Sequence, residues 1–183
     1  ITNSAGVISG ENNIAVVDSL STVMNSDKEK VERLYAYVGG KRIGVNSKSL
    51  DYFVKGEDRK PLEQGDIIRY STNSAGEVDR FEVLMNVSEK TTEFSKDLDS
   101  DTTIVYGKVE KKFSGSINVS VNGANTANYA TAGATVYSYD SSKVDSEISV
   151  VTPDDIQKYD EADAKRVFLK IYKDEVKEIV IVK

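Results

Sequence analysis

Two kinds of residue in this chain have types and spacings that could do chemistry: carboxylates at alternate positions, and tyrosines two apart. Asp97-Leu98-Asp99-Ser100-Asp101 begins like a calcium loop, in which alternating side-chain oxygens converge on one ion. An EF-hand then needs Gly at its sixth position and Glu at its twelfth, where this chain has Thr102 and Lys108. The segment could still hold a loosely bound Ca ion, but a solvated linker is the simpler reading. Tyr35 with Tyr37, and Tyr137 with Tyr139, would each project from one side of a strand. Rings paired in this way could stack on a sugar, whereas rings packed at the rim of a core with hydroxyls toward water would be structural. Carboxylates are abundant, yet no pair stands out as the acid and base of a glycosidase. Asp154-Asp155 follows Thr152-Pro153 and reads as a helix start, with Thr152 as N-cap and acids at the positive end of the dipole.

His and Cys are absent. Their absence removes the commonest general base, the Ser/His/Asp triad in its usual form, the commonest zinc ligand and any thiolate site. No catalytic residue, resident cofactor or metal is expected, and the chain does not read as an enzyme. A net charge of −6 disfavours nucleic acid, whose affinity comes from Lys and Arg displacing counterions. Apolar runs such as Ile179 to Val182 fall far short of the roughly 20 residues that span a bilayer. With 39% hydrophobic and 30% charged residues, the composition is that of a folded globular chain rather than a disordered one.

The elements that must position these residues are strands. Asp66 to Tyr70, the turn Asn73-Ser74-Ala75-Gly76 and Glu77 to Met85 form one expected hairpin; Arg166 to Tyr172, a turn at Lys173-Asp174 and Glu175 to Lys183 form another. Strict alternation puts Val78 with Arg80 and Phe81 with Val83 in the first. In the second it puts Val176 with Glu178, Ile179 with Ile181, and Val180 and Val182 on the other face. A strand apolar on both sides is buried on both sides or at an interface, so if the units touch each other or a neighbour, Val180 and Val182 are expected near that contact.

Four blocks recur in order, roughly a hundred residues apart, which is the signature of a duplication. Ala5 to Ile8 matches Tyr106 to Val109 with Gly6 on Gly107; Ile14 to Val16 matches Ile117 to Val119; Leu34 to Lys41 matches Val136 to Lys143; Glu77 to Leu84 matches Glu175 to Val182. The segments 47–65 and 144–163 each hold one of the two prolines, Pro61 and Pro153, and read as a short helix or long loop before each closing hairpin. The expected fold is all-β with minor helix: two tandem five-stranded barrels of the OB or SH3-like kind, at 1–87 and 104–183. Residues 88–103 would form a linker or edge segment.

The strings Gly65 to Tyr70 with Asn73 to Val78, and Tyr137 to Asp140 with Arg166 to Phe168 and Glu175 to Val182, resemble the repeated β modules beside S-layer homology (SLH) domains in surface proteins of Gram-positive, clostridial-type bacteria. The resemblance implies an exported parent protein held to the cell wall, with these modules in its extracellular body. Its partners would be other modules of the same protein, neighbouring copies and cell-wall polysaccharide. The anchoring domains are helical and Trp-containing in that family, so wall-polymer binding does not transfer to these residues. The chain opens on Ile1 without Met and reads as a piece of something longer. Two functions follow: a non-catalytic structural or adhesive module of the cell surface, or a carbohydrate-binding module using the paired strand tyrosines.

Overall fold

The computed structural model describes residues 13–90, 101–121 and 123–183. Its elements are strands, apart from one 3-10 turn, so the chain is all-β. No helix among the described residues is long and apolar enough to cross a membrane. The chain divides into two compact units, Ile1–Asp97 and Leu98–Lys183. The first block of the expected duplication at Gly6, the calcium-loop residues Asp97 and Asp99, and residues 91–100 of the expected linker or edge segment lie outside the described residues.

In the first unit the strands are β1 (Ala15–Met24), β2 (Lys30–Val38), β3 (Lys41–Asn46), β4 (Val54–Lys55), β5 (Lys60–Pro61), β6 (Ile67–Thr72) and β7 (Val78–Met85). Five of them form an antiparallel sheet in the order β3-β2-β1-β6-β7, while β4 and β5 make a separate two-stranded ribbon. Two of the hairpin turns share one device. Asn25 Oδ1 accepts the N–H groups of Asp27 and Glu29, and Asn73 Oδ1 accepts those of Ala75 and Glu77. Both five-residue turns read Asn-Ser-x-x-Glu. The fourth residue has positive φ in each, Lys28 at 62° and Gly76 at 78°, a region that glycine enters without steric cost. One face of the sheet carries Ala15, Val17, Leu34, Ala36, Val45, Ile68, Val78 and Val83, and the connection between β3 and β6 covers it by inserting Phe53 and Leu62. Tyr52, Phe53 and Phe81 meet there with ring centroids 5.2 to 5.5 Å apart. Leu50 and Asp51 form a turn, and the segment 47–65 is a long connection without a helix.

The second unit comprises β8 (Thr102–Phe113), β9 (Ser116–Val121), β10 (Ala124–Ala130), β11 (Thr135–Tyr139), β12 (Ile148–Val151), the 3-10 turn η1 (Pro153–Asp155), β13 (Arg166–Tyr172) and β14 (Glu175–Val182). Its seven-stranded sheet runs β10-β9-β8-β13-β14-β11-β12. Among the described residues its pairings are antiparallel except β11 with β14. The core face gathers Val109, Ile117, Val119, Val136, Val167, Leu169, Ile171, Val176, Ile179 and Ile181, and Ile156 covers it from the connection after η1. That turn sits where the helix start was expected. Both the backbone N–H and the hydroxyl of Thr152 donate to the Asp155 carboxylate, at 2.9 and 3.1 Å. These bonds hold the Asp155 carboxyl below the ordinary range.

The described sheets are open. Neither closes into a barrel, because the edge strands β3 and β7 lie at opposite ends of one sheet and β10 and β12 at opposite ends of the other. The first five strands of the second order, β10-β9-β8-β13-β14, nevertheless repeat β3-β2-β1-β6-β7 one for one. A β-bulge occupies the same place in each first hairpin, with the acidic residues Asp18 and Glu110 as the unpaired extras. By this equivalence β1 corresponds to β8 and β2 to β9. The sequence blocks that match Ile14 to Val16 with Ile117 to Val119, and Tyr35 with Tyr137, therefore pair strands in different places. The last block, β7 with β14, pairs strands in the same place.

Gly107 lies in β8 where the backbone of β9 comes close. A Cβ built there would stand 2.2 Å from the Ser120 carbonyl oxygen and 3.1 Å from Val119 Cγ1. Backbone cannot swing aside as a flexible side chain can, so Gly107→Ala is expected to lower stability by about 1–3 kcal/mol. Urea unfolding of the variant beside the parent checks this.

Candidate functional site

Among the described residues, a cluster of buried polar side chains lies where the connection between β3 and β6 returns to the sheet. In the extended run through β4, Phe53 and Lys55 are two apart and project the same way. Phe53 enters the core, and Lys55 brings its amine to the end of that core. The β6–β7 ladder ends with Ile67 opposite Met85, so the next residue on each side, Asp66 and Asn86, meet across the sheet end. Lys55 Nζ lies 2.7 Å from Asp66 Oδ2, 2.9 Å from Asn86 Oδ1 and 2.9 Å from Glu63 Oε2. Three acceptors match the three hydrogens of an ammonium.

Burial is nearly complete: the Lys55 side chain is 4% exposed and that of Asp66 fully enclosed. Asp66 is held from both sides, since Oδ2 accepts the Glu63 N–H at 2.8 Å and Oδ1 the Val87 N–H at 2.9 Å. Asn86 Oδ1 also accepts the Ser88 hydroxyl at 2.8 Å and, more weakly, the Ser88 N–H at 3.3 Å. Glu63 is the outer member, and the Lys55 ammonium holds its carboxyl below the ordinary range against a smaller opposing effect of burial. Removing one member of such a cluster leaves a buried charge or dipole unmatched.

Each closing hairpin carries an ion pair with a buried cation at a cross-strand position. Arg69 of β6 bonds Glu82 of β7, and Lys170 of β13 bonds Glu178 of β14 at 3.1 Å. These four residues lie on the sheet face opposite the core, a face that would ordinarily be solvated in an antiparallel sheet. In the second unit that face is buried around the pair. Val180 lies opposite Phe168 on one side and Tyr137 on the other. Val180 and Val182 are 0% and 1% exposed.

The tyrosines expected as a sugar platform separate into two environments. Tyr137 and Tyr139 of β11 are buried, at 0% and 8% exposure, so they present no ring face to a ligand and are corrected to packing residues. Tyr35 and Tyr37 of β2 are half-buried. The Arg42 guanidinium sits 4.5 Å from the Tyr35 ring centroid, with Arg33 at 5.4 Å, and Asp18 fixes Arg42 at 2.8 Å. An arginine thus already occupies the stacking position on Tyr35. Among the described residues no group of three or more acidic side chains is arranged to hold a metal ion. Asp101 is exposed, and its backbone carbonyl accepts the Lys173 N–H.

Asp140 gives the second unit an acid dependence. The Ser142 hydroxyl holds Asp140 below the ordinary range, helped by the Ser142 N–H and by the Lys183 and Lys143 charges, against opposing burial. A carboxyl whose pKa is depressed by folding contributes stability at neutral pH and loses it as the pH falls from about 4 through the folded value. Asp140→Asn should therefore flatten the drop in urea midpoint between neutral and acid conditions.

Sequence reading missed the Lys55 cluster and both ion pairs. A usable signal existed for the pairs: a cation at the middle of an apolar first strand, Ile67-Ile68-Arg69-Tyr70 or Phe168-Leu169-Lys170-Ile171, with a Glu in the returning strand. No family model, curated protein or solved structure matches this chain.

Proposed function

We propose that the chain is a non-catalytic structural or adhesive part of a bacterial cell-surface protein, exported and presenting two copies of one small β unit in tandem. The observation that carries this reading is what repeats between the units. Strand order, the acidic bulge in the first hairpin and the buried cation–Glu pair in the closing hairpin occur in both. Residues of types that could act on a ligand do not repeat in place, since the Tyr-x-Tyr pairs fall on β2 and β11, which hold different positions in the two orders. Repetition of a framework without repetition of a site favours a role in presentation and contact. The surface location rests on the resemblance to modules beside S-layer homology domains.

Two measurements test the proposal. Antibodies against the purified chain should label intact cells of the source organism, and labelling only after lysis would overturn the surface role. Incubation with wall polysaccharides should release no sugar above background; release at enzyme-like rates would overturn the non-catalytic role.

A further inference from the structure

We propose that Lys55 and Asn86 join in an intramolecular isopeptide bond that the chain forms by itself. The inference rests on the geometry around Lys55 and does not depend on the surface role. An amine attacks a carboxamide only when it is held against the carbonyl, a neighbouring group moves its protons, donors receive the charge developing on oxygen, and water is kept away. All four conditions meet at the end of the β6–β7 ladder. Lys55 Nζ is 2.9 Å from the Asn86 carbonyl oxygen, one bond from the carbon it would attack. Asp66 Oδ2 is 2.7 Å from the same nitrogen. The Ser88 hydroxyl and N–H both donate to Asn86 Oδ1. Lys55, Asp66 and Asn86 are all buried, at 5%, 0% and 5% exposure.

The step balances without an outside reagent. Asp66 accepts one proton from the Lys55 ammonium, and the freed lone pair on Nζ forms a bond to Cγ of Asn86. The carbonyl electrons move onto Oδ1, where the Ser88 donors hold them. Asp66 then passes its proton to Nδ2, the Cγ–Nδ2 bond breaks as the carbonyl reforms, and the departing ammonia carries off a second Nζ proton as ammonium. The products are a secondary amide between the two side chains and one ammonium ion. Nothing is oxidised or reduced, and Asp66 ends as it began. Lys55 is the nucleophile and Asp66 the proton carrier. The half-exposed Glu63 loses its ion pair with Lys55 and keeps its contact with Ser88.

Intact mass of the denatured full chain reads the outcome. The expected mass is that of the sequence less one ammonia. Loss of ammonia elsewhere, such as cyclisation at Asn122-Gly123, would give the same mass, so the site is read from a tryptic digest. Trypsin does not cut at an acylated lysine, and residues 49–59 should appear covalently joined to residues 81–90. Asn86→Ala and Asp66→Ala should give the full mass of their sequences, with trypsin cutting after Lys55 and residues 81–90 released as a free peptide. The unaltered chain, folded and then found at its full sequence mass, would overturn the bond and leave the cluster as a buried ion pair. A joined pair of peptides in Asp66→Ala would overturn the assignment of Asp66.

Discussion

Glu178→Ala should destabilise the protein by about 3–5 kcal/mol, because it takes the Glu178 carboxylate away from an ammonium, Lys170, that is buried out of water. Lys170 is 1% exposed and Glu178 4%, and the Phe168 and Val180 side chains beside them on the same face are fully buried. The cost is that of leaving a buried charge short of its carboxylate and not the net contribution of the pair. For that reason the double substitution Lys170→Met with Glu178→Leu should recover most of the loss, since two apolar residues of similar size need no partner. Urea denaturation of the parent, the single and the double variant separates the two quantities. Equal losses in the single and double variants would show that the pair's own hydrogen bonds hold the hairpin together.

The second large effect is expected at Phe53. Its ring is wholly buried and packs against Tyr52 and Phe81 on the core face of the first sheet. Phe53→Ala removes that surface and leaves a cavity, at about 3–5 kcal/mol. The backbone around Phe53 limits how far the site can collapse. Glu32 Oε1 accepts its N–H at 2.9 Å and that of Tyr52 as well, while the Leu62 N–H bonds the Phe53 carbonyl. Hydrogen exchange offers a check beyond the overall loss: amides of residues 47–66 should lose protection ahead of those in β1 and β2. Loss of protection at the same rate throughout the first sheet would mean that the connection is not a separately held cover.

Both closing hairpins were legible in the sequence, because each is a β-rich run, a tight turn and a second run within 20 residues of one another. Their facing was not. Alternation puts Val78 opposite Phe81 and sets Val176 beside Glu178, but an extra residue near the start of each returning strand resets the count. Asp79 is skipped between the pairs Ser71 with Arg80 and Thr72 with Val78. Lys177 is skipped between Lys170 with Glu178 and Ile171 with Val176. The bulges turn Val78 toward the same core as Val83, and Val176 toward the same core as Ile179 and Ile181. They also leave Glu178 facing Lys170. Bulges carry no composition signal comparable to that of a turn, so periodicity alone passes over them.

The strand order was hidden for a different reason. Ala15 of β1 pairs with Ile68 of β6, and Gly107 of β8 with Val167 of β13. Nothing local in either partner announces a match across such separations. The Lys55 cluster combines both difficulties. Residues 55, 66 and 86 converge only once the β6–β7 ladder has set its register and the ribbon of β4 and β5 has folded back, so each residue alone looks like an ordinary surface polar group.

The single parallel pairing sets a timetable for the second unit during synthesis. As the chain emerges, β8, β9 and β10 can zip locally, and so can β11 with β12. These two groups have no common strand until β13 and β14 arrive to stand between them. Closing contacts between residues far apart is slow compared with local zipping. Until residues through Val182 are free to move, the nascent unit therefore holds two separate sheet fragments with unpaired edges, the state in which a β chain is most exposed to wrong pairing. The first unit has no such gap. Its β6 and β7 add to an edge already in place, so it can be complete while the second is still in two pieces.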